Sequence, residues 1–512
     1  MIRPVGSRAL LLEVGSLDEV LAWGRTVAAL VAEGALPAPD EVVPGAQTLL
    51  LDGVDPAVVL PRLGVLAQPP PASPPGQEDV VEVPVVYDGA DLGDVARWWG
   101  VSEREVVARH TRTEFTVAFC GFAPGFAYLV GLDEQVPRRA TPRPSVPAGS
   151  VGLAGRYCGI YPTSSPGGWQ LLGTTTVPLF DVDADPPALL PPGARVRFVQ
   201  VAAHPAPAPT PASPQPADPA SAGGRAVTVV RAGALSTVQD RGRVGLAHLG
   251  VSRAGPLDRD AARLANRLVG NDEDAAVLET TLSGVAVRAG TALTVAVTGA
   301  AAPVLVGGRP GSWGVAVAVG EGQLLDVGPA VSGVRSYLAV GGGLAPPAVL
   351  GSRSRDTLSG LGPAALADGD VLMVGPVTGS PAVVDFTVPR VTTTPIVLRV
   401  TRGPRADRFG DQGLAALLGS TYDLSALSNR VGSRLVGAPV PQLSGAELES
   451  EGMVLGAVQV PPDGQPVVLL ADHPTTGGYP VIAVIDSGDL AMLAQARPGS
   501  AVRFVLDPSS TP

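Results

Sequence analysis

The chain has 512 residues, 45% hydrophobic and only 16% charged, which excludes a disordered protein and demands more than one hydrophobic core. Its formal net charge is −11 and its basic residues are scattered, so nucleic acid is not an expected partner. The sequence contains no lysine, which excludes a biotinyl-lysine carrier, a Walker-type phosphate lysine and a Schiff-base lysine.

The opening residues, MIRPVGSRALLLEVGSLDEV, lack the apolar core and cleavage site of a signal peptide. No run of roughly eighteen apolar residues follows, so no membrane span is expected and the expected location is the cytoplasm. Arg8–Val14 reads as a strand. Ser16 and Glu19 form a capping box that starts a helix, with Leu21, Val27, Leu30 and Val31 on its apolar face. Thr48–Leu51 reads as a second strand and Asp55–Leu63 as a short helix. This small α/β unit ends at the breaker Pro69–Gln77.

The next unit runs from Val80 to about Val201. Asp88–Trp99 and Ser102–His110 read as helices, the second capped by Ser102 and Glu105. His110 sits where an imidazole can meet exposed helix carbonyls. Gly121–Gly173 then concentrates glycine, proline, aromatics and arginines, with strand-like pieces at Phe126–Val130 and Gly168–Leu172. Such frequent turning around Arg138, Arg139 and Arg143 fits a tight β-barrel, with or without a ligand face. Cys120 and Cys158 fall in the same unit and are expected to be reduced, buried thiols.

Within this stretch Phe122–Pro124–Gly125–Phe126–Tyr128, Pro137–Arg138–Arg139, Pro142–Arg143, Val146–Val151, Tyr161–Pro162 and Ser165–Pro166–Gly167–Gly168–Trp169 resemble the KipI family. That family is also called the B subunit of 5-oxoprolinase, or allophanate hydrolase subunit 1. The resemblance implies a cyclophilin-like barrel behind a smaller N-terminal domain, and a His in the position of His110 ahead of the Gly-Phe motif.

Residues 202–224 are low-complexity Pro, Ala and Ser, including His204, and read as an extended spacer. Ala226–Val230 opens a strand. Thr237–Gln239–Asp240–Gly242–Arg243, Gly255–Pro256–Leu257–Asp258, Ala265–Asn266, Gly270–Asn271, Glu279 and Gly284 resemble the KipA family, the C subunit of 5-oxoprolinase. Pro256 and Asp258 launch a helix that Gly270–Asn271 stops. Strands are expected at Leu293–Val297, Val304–Val306, Ser336–Val340 and Ile396–Val400, and a helix at Pro404–Leu418. The resemblance continues through Ser428–Gly437, Gly456–Pro466 and Ala471–Pro480. The two halves also echo one another, closing on PPGARVRF and RPGSAVRF.

The expected architecture is mainly β with α+β elements, cyclophilin-like barrels in tandem behind a small α/β domain. The boundaries fall at 1–78, 79–201, 202–224, 225–375 and 376–512, with a first barrel-like subdomain at 225–375. No metal cluster, H-E-x-x-H or G-x-S-x-G motif is present, so anion binding falls to arginines and backbone N–H groups. The candidate catalytic residues are His110, Asp472 and His473. The candidate substrate- or nucleotide-binding residues are Arg138, Arg139, Arg143, Gly167, Gly168, Trp169, Arg430, Arg434, Gln459, Gly477, Gly478 and Tyr479; no metal ligand is assigned.

The resemblance implies an ATP- and Mg²⁺-dependent opening of 5-oxoproline to L-glutamate, in which phosphorylation of the lactam oxygen creates a leaving group. It also implies a separate 5-oxoprolinase component of the LamB/YcsF type, the A subunit, and a small-molecule substrate. Biotin is excluded from this chain and homo-oligomerisation is open. Two other readings stand beside it: a regulatory module binding a sensor histidine kinase, and the carboxyltransferase part of a urea-carboxylase or allophanate-type system. Thr174, Arg355, Asn429, Ser433 and Pro474 depart from the residues usual in these families, which leaves ligand details of the second half open.

Overall fold

The computed structural model describes residues 1–64, 80–204, 225–382, 384, 387–390, 394–443 and 448–508. The Pro69–Gln77 breaker and positions 205–224 of the spacer lie outside the described residues. Ile2–Val5, Ala9–Glu13, Thr48–Asp52 and Glu41–Pro44 form, in that spatial order, a four-stranded antiparallel sheet. Helices α1 (Leu17–Ala32) and α2 (Pro56–Gly64) accompany it, and the Ser16 hydroxyl accepts the Glu19 N–H at 3.3 Å as the capping box requires. Leu10, Leu12, Leu49 and Leu51 share a core with Val20, Trp23 and Leu63 on the helices. Their neighbours Ala9, Leu11 and Leu50 point the other way, into a core with Val454, Leu469 and Val484. Alternate residues thus serve two cores, which is why these strands read as unbroken apolar runs.

Seven strands form the next sheet: Val81–Val85, Glu114–Cys120, Ala127–Val130, Ser150–Ala154, Tyr157–Ile160, Gln170–Thr174 and Arg195–Gln200. A bridge between Val86 and Thr174 brings its edges together into a barrel. Helices α3 (Leu92–Trp99) and α4 (Glu103–Arg112) lie between the first two strands; Gly100, at φ 66°, ends α3 and Ser102 caps α4. The C-terminal unit is a closed seven-stranded barrel. In each barrel the last strand runs parallel to the first and antiparallel to the second: Arg195–Gln200 in one, Ala501–Leu506 in the other. The Pro-Gly-x-x-Val-Arg-Phe echo marks this shared closing strand.

Between the barrels the structure departs from the expected barrel-like subdomain. Residues 226–373 build two sheets, of six and five strands, packed around one core that includes Val229, Leu278, Val287 and Leu338. Alternating apolar residues are common to sandwiches and barrels, and closure depends on edge pairings that this pattern does not encode. Helix α5 (Arg259–Leu268) covers the five-stranded sheet through Ala262, Ala265 and Leu268. Asp258 is its N-cap, accepting the Ala261 N–H at 3.1 Å.

The two halves close on one another through glycines. The Gly125 N–H donates to the Leu249 carbonyl at 3.0 Å. A β-carbon on Gly121 would overlap Thr476 Oγ1, and one on Gly250 would overlap the Ala123 carbonyl oxygen. Gly121→Val should therefore strain this joint and, because the halves also share the core of Leu11, Leu50, Leu469 and Val484, destabilise the whole chain rather than release two folded halves. The thermal midpoint should fall by several degrees relative to the wild type; an unaltered midpoint would count against this contact as the joint.

Candidate functional site

Closure leaves a cavity of about 520 Å³ where three parts of the chain meet. The N-terminal sheet contributes Arg8, Asp40 and Asp52, α5 and the turn before it contribute Arg253, Arg259 and Arg263, and the C-terminal barrel contributes His473 and Thr475. One wall is apolar, with Val43, Ala247, Met453, Val454 and Val484, so the cavity suits a ligand with an apolar ring and an anionic end. Ala254 also lines it, fully buried with φ at 58°, a conformation that non-glycine residues adopt at a cost and that clusters at functional positions.

Its charges are unevenly paired. Arg253 bonds Asp40 at 3.0 Å, and Arg263 bonds Asp274 at 3.1 Å. Arg259 has no carboxylate or hydrogen-bond acceptor among the described residues. Burial, then the neighbouring Arg253 and Arg263, pull its guanidinium down to about 10, so it stays cationic at neutral pH. Arg253 Nε and Thr475 Oγ1 are buried without partners. Such orphaned donors mark a place where an anion completes the hydrogen bonding.

His473 offers the site a base. Its Nδ1 lies 2.8 Å from the Pro474 carbonyl oxygen, to which it donates, so in the neutral ring Nε2 carries the free lone pair. Burial holds the imidazole below its ordinary range, against the Pro474 bond, and keeps it neutral at pH 7. Glu41, whose oxygens accept the Gly245 and Ala247 N–H groups at 2.9 and 3.0 Å, is pushed up to about 7 by burial.

The subdomain C and D model of the carboxyltransferase domain matches residues 1–190, and the subdomain A and B model matches 249–506. The chain belongs to the carboxyltransferase-domain family. It is 39% identical over 280 residues to the C subunit of 5-oxoprolinase from Escherichia coli K12, covering 54% of this chain and 90% of that protein. It is also 55% identical over 124 residues to the 5-oxoprolinase B subunit of Escherichia coli O157:H7, covering 23% of this chain and 57% of that protein. Urea amidolyase of Saccharomyces cerevisiae is 31% identical over 307 residues, 55% of this chain but 16% of that protein. The crystal structure of TTHA0988 matches with a TM-score of 0.86 at 37% identity, covering 99% of this chain and all of that one.

This member of the carboxyltransferase-domain family gathers only His473 of the expected site residues into the junction cavity. Asp472 points away: both its oxygens meet Arg430, at 2.9 and 3.0 Å, and Oδ2 also accepts the Thr357 N–H and hydroxyl at 2.9 and 2.6 Å. Arg430 bonds Glu279 and the Gly255 carbonyl as well. The expected base and anion-binder are therefore a clamp between the C-terminal barrel and the sandwich, with their charges already satisfied. His110 is also corrected: it caps no carbonyl but lies in the first barrel's core, 2.6 Å from Tyr87 Oη and 3.2 Å from Cys158 Sγ. Cys158 and Cys120 are free and buried.

Arg139 and Arg143 converge on one buried carboxylate, Asp91, at 3.0 and 2.8 Å, while Arg138 is exposed beside them. Gly167 leaves room for the Tyr161 hydroxyl, which a β-carbon there would overlap. The Gly168 carbonyl accepts the Arg139 N–H at 2.8 Å, and Trp169 packs against Phe126 and Tyr128. In the C-terminal barrel Gln459 Nε2 donates to the Tyr479 carbonyl at 3.2 Å beneath Gly477; Gly478, Tyr479 and Arg434 are surface residues away from the cavity lining.

Of the family departures, Asn429 caps its own turn by accepting the Val431 and Gly432 N–H groups at 2.9 and 3.2 Å, a task Asp would also perform. Thr174 bonds Asp88 and His204 at the barrel seam, and Arg355 bonds the Gly360 and Gly362 carbonyls. Ser433 is buried in its strand, and Pro474 supplies the carbonyl that orients His473. Sequence patterns did not point to Arg8, Asp40, Arg253, Arg259 or Arg263; Arg253 and Arg259 flank the Gly255–Asp258 motif, the one local signal available.

Asp472→Ala should destabilise the protein by about 3–5 kcal/mol in urea denaturation, because Arg430 is left buried with half its partners. A loss below about 1 kcal/mol would show that the clamp is not structural. Burial pulls the His110 imidazole down to about 3. As pH falls below about 6.5 the unfolded chain binds a proton that the folded chain refuses, so this residue costs roughly 1 kcal/mol per pH unit until about pH 3. His110→Leu should remove that component, read as the difference between the two urea-stability profiles from pH 7 to pH 4; parallel profiles would place His110 in contact with water.

Proposed function

We propose that this chain is the B–C part of an ATP-dependent 5-oxoprolinase, activating the cyclic amide for hydrolysis together with a separate A subunit. The observation that carries this reading is the cavity between the B-like and C-like regions, whose lining combines Arg259, without an acceptor among the described residues, with the unpartnered Arg253 Nε and Thr475 Oγ1. Similarity to both the B and the C components of 5-oxoprolinase supports the reaction class.

The residues fit a phosphorylated ligand. Arg259 and the free Arg253 Nε supply donors suited to phosphate oxygens, and the apolar wall accepts a base. Among the described residues no group of three His, Cys, Asp or Glu side chains is placed to hold a metal ion. Mg²⁺ needs only one or two carboxylates when it arrives on phosphates, and Asp40, Asp52 and Asp260 line the cavity. Bound there, the nucleotide and its ion supply a transferable phosphoryl group and charge neutralisation. His473 Nε2 takes the proton released as water adds to the activated lactam carbon.

The test is reconstitution: the full chain with a LamB/YcsF-type A subunit, ATP, Mg²⁺ and 5-oxoproline, following glutamate and ADP. Glutamate should form only with both proteins present. His473→Gln should lower turnover by about 10²-fold or more with the thermal midpoint retained. Undiminished turnover in that variant would remove His473 from the chemistry. The similarity to urea amidolyase favours a second reading, a carboxyltransferase partner of a biotin carrier. The chain holds no lysine for biotin, so that reading demands carboxyl transfer from a separate biotinylated protein, with no glutamate formed.

A further inference from the structure

A second, smaller cavity of about 170 Å³ lies against the first and shares Asp40, Arg253, Arg259 and Arg263 with it. It adds Gln239 and Asp240 from the sandwich, Arg241, and Asn266 from α5. Its acidic residues are already engaged. Asp240 accepts from Gly242, Ser352, Arg353 and Ser354, Asp40 pairs with Arg253, and Asp274 pairs with Arg263. Glu273 pairs with Arg267 at 2.9 Å. Arg241 and Arg259 remain without a partner among the described residues.

Gln239 adds the opposite kind of vacancy. It is completely buried, and its Nε2 donates to the Arg355 carbonyl and to Thr237 Oγ1, both at 3.0 Å. The bond to a backbone carbonyl fixes which end of the amide is nitrogen. Its Oε1 is therefore an acceptor, buried and unsatisfied. A chamber too small for a nucleotide thus offers one buried, unsatisfied N–H acceptor, with the half-buried guanidinium of Arg259 and the exposed one of Arg241 as its free cations.

We infer that this smaller chamber is the binding site for the lactam acid, its ring N–H donating to Gln239 Oε1 and its carboxylate accepting from Arg259 and Arg241. The inference rests on the 5-oxoprolinase reading for the identity of the ligand. It divides the work between two chambers that meet at shared arginines, the larger for the phosphoryl donor and the smaller for the ring N–H and carboxylate of the acceptor, whose carbonyl then has to lie at their boundary to meet both the phosphoryl group and His473 of the larger chamber. Gln239 then has a second effect. When the lactam oxygen attacks the γ-phosphorus of ATP, the new O–P bond forms as the bond to the bridging oxygen breaks and ADP leaves with that electron pair; positive charge then develops on the ring N–H, and a neutral oxygen acceptor stabilises it without removing the proton.

The experiment is calorimetric or saturation-transfer binding to the full chain, without nucleotide or the A subunit. The probes are 5-oxoproline, 2-pyrrolidinone (no carboxylate) and N-methyl-5-oxoproline (no N–H). The wild type should bind 5-oxoproline on the order of 10-fold or more tightly than either analogue. Arg259→Gln, which breaks no native bond, should lower its affinity by a similar factor. Gln239→Leu should erase the preference over the N-methyl analogue while binding that analogue as the wild type does, a result that unfolding would not give. Equal affinity in wild type and Arg259→Gln, or no binding of 5-oxoproline to the wild type, overturns the chamber assignment. The reconstituted assay separates the two ideas: turnover with unaltered Arg259→Gln binding removes only this site, whereas absent turnover removes the 5-oxoprolinase reading itself.

Discussion

A four-stranded sheet with leucines on both faces cannot stand in water. Leu10, Leu12, Leu49 and Leu51 are covered by α1 and α2, but Leu11 and Leu50 are covered from across the chain, by the C-terminal barrel and Ala247. Each fully buried leucine contributes about 1.5–3 kcal/mol, so exposing that second face would be prohibitive for a marginally stable fold. The far ends of the chain are therefore forced together. Everything at the junction follows from this: the Glu41 carboxylate reaches residues 245–247, Arg405 meets both Glu13 and Glu451, and a cavity is left beside the sheet where Arg8, Asp40 and Asp52 emerge.

Polar joints then fix how the parts sit. Arg430 binds the C-terminal barrel to the sandwich through Asp472 and Glu279; burial opposes its charge, and the two carboxylates more than restore it. Glu279 continues the network to Tyr337 Oη and the Leu257 N–H, both at 2.9 Å, next to the start of α5. The helix that carries Arg259 and Arg263 into the two cavities is thus positioned by groups that touch no ligand. Buried charges of this kind add little net stability, but a wrong arrangement leaves one of them unpaired, and this selects a single geometry.

The family motifs divide accordingly. Gly121, Gly125, Gly250 and Thr476 mark where backbones from the two halves approach too closely for a side chain. Asp240, Asp258 and Arg430 are caps and clamps. Arg139 and Arg143 share Asp91, a carboxylate that burial would raise but that the Arg143 and Leu171 bonds hold below its ordinary range. Of the residues facing the cavities, Gln239 and His473 lie within these motifs, whereas Arg8, Asp40, Arg253, Arg259 and Arg263 lie beside them.

Elements with local causes were legible in the sequence. The Ser16 and Ser102 caps, the Asp258 start of α5, the alternating strands and the repeated closing strand all follow from backbone propensity and from neighbours a few residues away. The unbroken apolar run around Leu10–Leu12 also encoded a strand buried on both faces, although it did not say against what. Function-bearing groups were less legible, because their meaning depends on what remains unpaired. Arg430 and Arg259 are the same residue type in similar glycine-rich surroundings, yet one is saturated by carboxylates and the other is free. His110 and His473 both follow helix or turn signals, yet one is sealed in a barrel core and the other lines a cavity. The sequence determined strands, caps and the two similar barrels, since those depend on short-range chemistry. Only the tertiary structure decided which charges found partners across several hundred residues of chain, and so which were left for a ligand.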